Sequence, residues 1–69
     1  MTHDEITAAI PGVKVRVGDT NDFLWLTYEM DHHGQQYSWS RRCPIDPSAE
    51  TIGIFASDLE AWKQGVQEQ

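Results

Sequence analysis

The residue types that most often carry chemistry are few in this 69-residue chain, which has three histidines and one cysteine. His32 and His33 are adjacent and follow Asp31, while Cys43 precedes Pro44. No spacing among these residues matches a zinc pattern such as paired CxxC or HExxH, and adjacent side chains point apart unless the backbone turns sharply. We therefore expect no metal site, and we interpret the two adjacent histidines as solvated turn residues.

The single cysteine is a conceivable nucleophile. Arg41 and Arg42 precede Cys43 and would lower the pKa of its thiol if the thiol were exposed. No base or orienting residue can be identified beside it, so a half-buried structural cysteine is favoured over a catalytic one. A single cysteine also excludes an intrachain disulfide, which favours a reducing compartment such as the cytoplasm.

The acidic residues in and beside the predicted turns do not form a calcium loop. Asp19, Asp22, Glu29 and Asp31 lack the fixed ligand positions, the central glycine and the terminal glutamate of an EF-hand. A chain this short also has little room for the concave pocket, usually about 300 Å³ or larger, that enzymes use. The sequence therefore predicts a protein without enzymatic activity, metal or other cofactor.

The length of the chain predicts one domain, 1–69, with a small core. Three Trp, two Tyr and two Phe residues supply that core, and each ring can bury about 150–250 Å². A single core of this size seldom contributes more than about 3–5 kcal/mol, so we expect that the chain could form a homodimer. No apolar run reaches the roughly 20 residues of a membrane span, and no signal-peptide pattern is present, so we expect a cytoplasmic protein without membrane partners.

The N-terminal segment 1–12 predicts a short helix. Thr2 and Glu5 have the spacing of a capping box, which would start a helix over 3–9. Pro11 and Gly12 would end it. A helix of two turns is marginal in water, so it must dock on the rest of the chain to persist.

Residues 13–42 predict a three-stranded antiparallel meander. Valines alternate with cations over 13–17, as in a half-buried strand. A second strand follows over 23–30. A four-residue connection over 31–34 then leads to a third strand over 35–42.

Two strand registers follow from gathering the apolar side chains on one face. Val17 then pairs with Leu24 between the first two strands. Closing the connection over 31–34 pairs Tyr28 with Tyr37 between the second and third strands. The opposite face then carries Lys14, Arg16, Phe23, Trp25, Thr27, Glu29, Gln36, Ser38, Ser40 and Arg42.

The C-terminal part predicts a loop and a helix. Residues 43–56 contain two prolines and predict a loop, with a short fourth strand as one alternative for its last residues. Ser57 and Glu60 have the spacing of a second capping box, which predicts a helix over 57–66 that covers one face of the sheet. The predicted fold class is α+β, a small antiparallel meander of three or four strands with a C-terminal helix on one face and a short N-terminal helix.

The charge distribution leads to a functional hypothesis. The net charge is −6, yet four of the five basic residues lie in strand-like segments. We expect a non-enzymatic inhibitor or adaptor that works by occupying a basic, nucleic-acid-handling protein. Small acidic domains are common among phage and mobile-element inhibitors, so an anti-CRISPR or anti-restriction role is the concrete version of this hypothesis.

The hypothesis assigns two roles to the expected partner-binding residues. Phe23 and Trp25 would be desolvated anchors, and an acidic edge that includes Asp58 and Glu60 would steer the approach. The full set of candidate residues is Lys14, Arg16, Asp19, Asp22, Phe23, Trp25, Glu29, Asp31 and Arg42.

Other interpretations are compatible with the same residues. A small DNA- or RNA-binding regulator could use the basic face of the sheet, although a chain of net charge −6 would be repelled by nucleic acid at long range. The N-terminal helix could instead cover Phe23 and Trp25, which would leave an ordinary solvated strand face. A structural subunit of a larger assembly is the third alternative.

Overall fold

Two helices lie on one side of a three-stranded antiparallel sheet. The computed structural model describes residues 2–69, so Met1 of the predicted segment 1–12 lies outside the described residues. The elements in chain order are α1 (His3–Ala9), β1 (Lys14–Val17), β2 (Phe23–His32), β3 (Gln35–Pro44) and α2 (Ala49–Gln67). The strand order is β1-β2-β3, which confirms the predicted α+β meander with three strands.

Helix α1 forms where the capping box predicts it. The Thr2 hydroxyl accepts from the Glu5 backbone N–H, and the Glu5 carboxylate accepts from the Thr2 backbone N–H. These hydrogen bonds from Thr2 hold the pKa of Glu5 below its usual value. Ile6 and Ile10 are buried, so this short helix is stabilised by docking on the core.

The register between β1 and β2 is confirmed, with Val17 opposite Leu24 and Val15 opposite Leu26. The connection closes with the Gly18 N–H donating to the Phe23 carbonyl at 2.9 Å. Asn21 takes a left-handed conformation, with φ of 61°. Val17 was expected in the core, but it is 45% exposed because it stands at the end of the strand, beyond the cover of the helices.

The predicted register between β2 and β3 is wrong by two residues. The turn consists of His33 and Gly34 alone, with φ of 53° and 79°, and His32 already pairs with Gln35. Positive φ at both turn residues is the type I′ geometry, whose twist matches that of the flanking strands. The ladder therefore gains two residues on each strand. Because the shift is an even number of residues, every side chain keeps its predicted face.

Helix α2 begins eight residues before the predicted start at Ser57. Ser48 is the N-cap, and its hydroxyl accepts from the Thr51 backbone N–H at 3.2 Å. The predicted capping box of Ser57 and Glu60 was wrong, since both residues lie inside the helix. A fourth strand does not form in this segment, and no helix within residues 2–69 is long and apolar enough to cross a membrane.

The core lies between the sheet and both helices. It combines side chains from α1, from the connection between α1 and β1, from alternate positions of β2 and β3, and from α2: Ile6, Ile10, Val13, Leu24, Leu26, Trp39, Cys43, Ile52 and Leu59. Asp58 of α2 joins the helix to the sheet, because its Oδ2 accepts from Trp39 Nε1 at 2.9 Å and from Arg41 Nε at 2.8 Å. Both helices therefore cover the same face, and the other face of the sheet is open.

Candidate functional site

The open side of the sheet is named the outer face here. It carries Lys14, Arg16, Phe23, Trp25, Thr27, Glu29, Asp31, Gln36, Ser38, Ser40 and Arg42. The interpretation in which α1 covers Phe23 and Trp25 is wrong, because α1 packs Ile6 and Ile10 into the core on the opposite side. The outer face is thus the largest surface of the sheet that is left uncovered by residues 2–69.

Aromatic and cationic side chains meet at one end of the outer face. Trp25 lies on the central strand with Arg16 opposite it on β1 and Arg42 opposite it on β3. The Phe23 and Trp25 rings pack edge to face, with centroids 5.4 Å apart and planes at 80°. The guanidinium carbon of Arg42 lies 4.2 Å from the Phe23 ring centre. These four residues form what we call the aromatic-cationic cluster.

The position of Phe23 depends on a glycine in the preceding turn. Gly18 is buried, and a Cβ at this position would lie only 2.3 Å from the Phe23 ring. The absence of a side chain at Gly18 lets the ring lie directly on the backbone. Gly18 therefore fixes where Phe23 lies, and Phe23 in turn supports Trp25.

A row of small and basic residues continues from the cluster. Lys14 lies opposite Thr27, and Thr27 lies opposite Ser40. Lys14, Arg16, Thr27 and Glu29, together with Val15, line an open groove of about 450 Å³. Lys14, Arg16 and Arg42 form no ion pair with a carboxylate among the described residues, so their charges are available to a partner.

The acidic candidates do not form one edge. Glu29 and Asp31 lie towards the β2–β3 turn, where Gln36 Nε2 donates to Glu29 Oε2 at 3.4 Å. Asp19 and Asp22 lie in the β1–β2 connection at the other end, where the Thr20 hydroxyl donates to the Asp22 carboxylate. Six residues of strand separate Phe23 from Glu29, which corresponds to about 20 Å.

The two acids expected on α2 lie on the helical side of the molecule. Asp58 is engaged by Arg41 and Trp39, and Glu60 accepts from Lys63 Nζ at 3.3 Å. Arg41 likewise belongs to the covered face, because it lies opposite the buried Leu26, whereas Arg42 lies opposite Trp25 on the outer face. The structure thus separates Asp58 and Glu60 from the candidate site.

Cys43 lies in the core opposite Leu24 and is 2% exposed. Burial raises the pKa of its thiol above the usual value, because the thiolate would lose its hydration. The sequence predicted that Arg41 and Arg42 would lower this pKa only if the thiol were exposed, and the thiol is buried. A protonated, buried thiol is a poor nucleophile.

The two adjacent histidines are in contact, with ring centroids 4.0 Å apart. The sharp backbone turn that allows this contact is present, because His33 takes the left-handed conformation. His33 is an exposed turn residue as predicted, but His32 is the last residue of β2, so its interpretation as a solvated turn residue was wrong. His32 Nε2 is buried and forms no hydrogen bond among the described residues. No group of three or more metal-ligating side chains is found within residues 2–69.

One link was missed by the sequence analysis, namely that of Asp58 with Trp39 and Arg41. A buried tryptophan generally finds an acceptor for its indole N–H, so the prediction that Trp39 is in the core was the signal that a polar partner had to lie nearby. Asp58 lies one residue before the buried Leu59 on α2, and this position lets it act as the acceptor for the Trp39 N–H.

Comparison of the chain with known proteins gives no match, whether to a protein-family model, to a curated protein or to a solved structure.

Proposed function

We propose that this protein is a non-enzymatic protein-binding module and that the outer face is its binding surface. The observation that carries the proposal is the position of Trp25, which lies between Arg16 and Arg42 on a face that neither helix covers. Such a module acts by occupancy, since it blocks or bridges surfaces of its partner. The buried thiol of Cys43 supports the non-enzymatic part of the proposal.

The composition of the aromatic-cationic cluster suits a binding hot spot. Tryptophan and arginine are enriched among interface residues whose truncation weakens complexes most. Phe23 and Trp25 are held by each other and by the Gly18 backbone, so little conformational entropy is lost when a partner covers them. Lys14, Thr27 and Ser40 would form a polar rim beside the rings.

The partner that this surface suits best is a basic protein. Asp19 and Asp22 flank the cluster at one end of the face, and Glu29 and Asp31 lie at the other. The net charge of −6 would steer the whole chain towards a positive surface. We therefore propose an inhibitor or adaptor of a nucleic-acid-handling protein in the cytoplasm, of the phage or mobile-element type, with an anti-CRISPR or anti-restriction role as the concrete version.

Direct binding of nucleic acid is the second candidate function. Lys14, Arg16 and Arg42 surround Trp25 without ion pairs to described residues, and a base could stack on the indole while the cations contact phosphates. The net charge of the chain opposes this function, because only about three phosphates could be neutralised.

Substitution of Trp25 tests the proposal. Immobilised wild-type protein would be exposed to a cell lysate, a duplex DNA and a single-stranded RNA at moderate salt, and the retained protein would then be titrated against each variant. We expect Trp25→Ala to weaken the complex with a basic protein by at least about 2 kcal/mol, or roughly 30-fold.

Ile54→Ala is the matched control, because Ile54 is 64% exposed on α2, away from the outer face. It should bind as the wild type does. Equal binding by Trp25→Ala and wild type would remove the outer face from the interface. Retention on bare DNA or RNA that is lost in an Arg16→Glu, Arg42→Glu variant would favour the nucleic-acid function instead.

A further inference from the structure

The outer edge of β3 is the longest unpaired backbone edge in the described chain. β3 runs over ten residues and pairs with β2 on one side only. Its ladder with β2 continues from Pro44 to Gln35 without a bulge. Natural sheets usually protect such edges with prolines, bulges or short strands, and none of these interrupts β3 before Pro44.

The hydrogen-bonding pattern identifies which backbone groups are free at this edge. In a two-residue hairpin the residues that flank the turn, here His32 and Gln35, form a hydrogen-bonded pair. Because the backbone groups of successive residues point to opposite edges of a strand, the N–H and C=O groups of Tyr37 and Trp39 then point towards β2. A hydrogen bond on the other side of β2 gives the same result independently. The Phe23 carbonyl accepts from the Gly18 N–H, so the backbone groups of the next residue, Leu24, point towards β3 and bond with Cys43.

The free N–H and C=O groups consequently belong to every second residue of β3. The N–H donors at the open edge are those of Gln36, Ser38, Ser40 and Arg42. The Ser40 carbonyl already accepts from Arg41 Nη1 at 2.8 Å, and a carbonyl oxygen has a second lone pair for another donor. The small side chains of Ser38 and Ser40 leave this edge sterically accessible.

We propose that a second copy of this chain pairs with the edge, so that two β3 strands lie antiparallel about a twofold axis at Trp39. This register places Ser38 opposite Ser40 of the second copy and Gln36 opposite Arg42 of the second copy. All four free donors of each chain are then used. A shift of the register by two residues in one direction would pair Arg42 with Gly34, which lies in the turn. The same shift in the other direction would pair Gln36 with Pro44, which has no N–H to donate.

Charge complementarity selects a second copy as the occupant. The basic end of β3 carries Arg41 and Arg42, whereas its other end lies beside Asp31 of β2, which pairs with Gln36 of β3. An antiparallel arrangement brings the basic end of each chain to the acidic end of the other. Arg42 and Asp31 of the two chains are then separated by two strand spacings, about 10 Å between Cα atoms. Extended side chains can span this distance when Arg42 turns away from the Phe23 ring.

The dimer would have one continuous six-stranded sheet with both outer faces on the same side. The two Trp25 side chains would lie about 25 Å apart, from the strand rise and spacing. The aromatic-cationic clusters would therefore form a bivalent surface. The pairing itself does not depend on the proposed partner, and its test uses different measurements.

Sedimentation equilibrium of the full chain between micromolar and millimolar concentration tests the pairing. We expect the mass to rise from 7.9 kDa towards twice that value. Ser40→Pro removes one free N–H at the edge without removing a bond to β2, and it should raise the dimer dissociation constant at least about tenfold. Ser40→Ala keeps the N–H and is the matched control, which should dimerise as the wild type does.

Amide hydrogen exchange locates the interface in the unmodified protein. The Ser38 and Ser40 amides should exchange at least about tenfold more slowly at a concentration where the dimer dominates than where the monomer does. The Tyr37 and Trp39 amides, which bond to β2, should be protected at both concentrations.

A further test reverses the charges of the two residues that would attract each other across the dimer interface. Arg42→Glu and Asp31→Lys should each weaken the dimer, and the double variant should recover most of the loss. A monomeric mass throughout the concentration range would overturn the proposal. A dimer that tolerates Ser40→Pro and leaves the Ser38 and Ser40 amides unprotected would overturn it equally, because that dimer would use another surface.

Discussion

The two faces of the sheet differ in composition and in what covers them. The covered face presents Leu24, Leu26 and Trp39 to two helices, and these side chains are at most 1% exposed. The outer face presents Phe23 and Trp25 among charged and small polar residues, with no helix over them. The same strands therefore present two different surfaces, since one face stabilises the fold while the other is left open for the binding role that we propose.

The largest expected effect contrasts a residue of the covered face with a neighbour on the outer face. Leu26 is completely buried, so Leu26→Ala should lower the free energy of unfolding by about 2–5 kcal/mol through lost burial and a cavity. Thr27→Ala, one residue later, should lower it by at most about 1 kcal/mol, through lost strand propensity. Urea denaturation measures both, and similar losses in the two variants would contradict the division between the faces.

The next effect concerns the polar link across the covered face. Asp58→Ala would leave the buried Trp39 N–H without its acceptor and Arg41 without its ion pair. We expect a loss of about 1–3 kcal/mol in the free energy of unfolding. Glu60→Ala is the control, because the exposed pair with Lys63 should contribute less than about 1 kcal/mol. Equal losses would indicate that the Trp39 hydrogen bond contributes nothing to stability.

A third prediction compares two glycines. Gly18→Ala should push the Phe23 ring from its place, at a cost of about 1–3 kcal/mol in stability, and should weaken partner binding as well. Gly53→Ala on α2 meets no atom within 4 Å, and it should stabilise the protein by about 0.5–1 kcal/mol through helix propensity. Thermal unfolding of the two variants distinguishes these signs, and an unchanged Gly18→Ala protein would show that Phe23 does not depend on the glycine.

The smallest effect appears only in alkaline solution. The folded pKa of Cys43 is raised above its usual value of 9.0, so the unfolded chain loses the thiol proton first. The contribution of this group is fully present below pH 9.0 and is lost as the pH rises towards the folded pKa, with a slope of at most about 1.4 kcal/mol per pH unit. Cys43→Ala should remove this part of the slope in denaturation curves recorded at alkaline pH.

The alternation of apolar and polar residues was enough to assign the faces of the strands. It could not determine the length of the second turn, because registers that differ by two residues keep the same faces. The two-residue length of the turn depends on His33, which takes positive φ although it is not glycine. Single-residue patterns give little indication of such a conformation.

The early start of α2 could have been found. Thr51 and Ile52 are β-branched and precede Gly53, which favours a strand when these residues are considered alone. The helical spacing nevertheless extends over the whole segment in Ile52, Phe55, Leu59, Trp62 and Val66. The assignment of Asp58 and Glu60 to the acidic edge failed for a different reason, since it required the position of α2 relative to the sheet, and no local pattern contains that position.

The two-residue turn at His33 and Gly34 has a consequence for the order of folding. It joins β2 to β3, and the four residue pairs next to the turn are only three to nine residues apart in sequence, whereas the contacts of Asp58 on α2 with β3 span 17 and 19 residues. Local pairing forms fastest, with hairpins closing in about 1–10 μs, so we expect this hairpin to belong to the folding nucleus. Substitutions in the turn would then change how fast the chain folds, whereas substitutions in α2 would mainly change how long it stays folded.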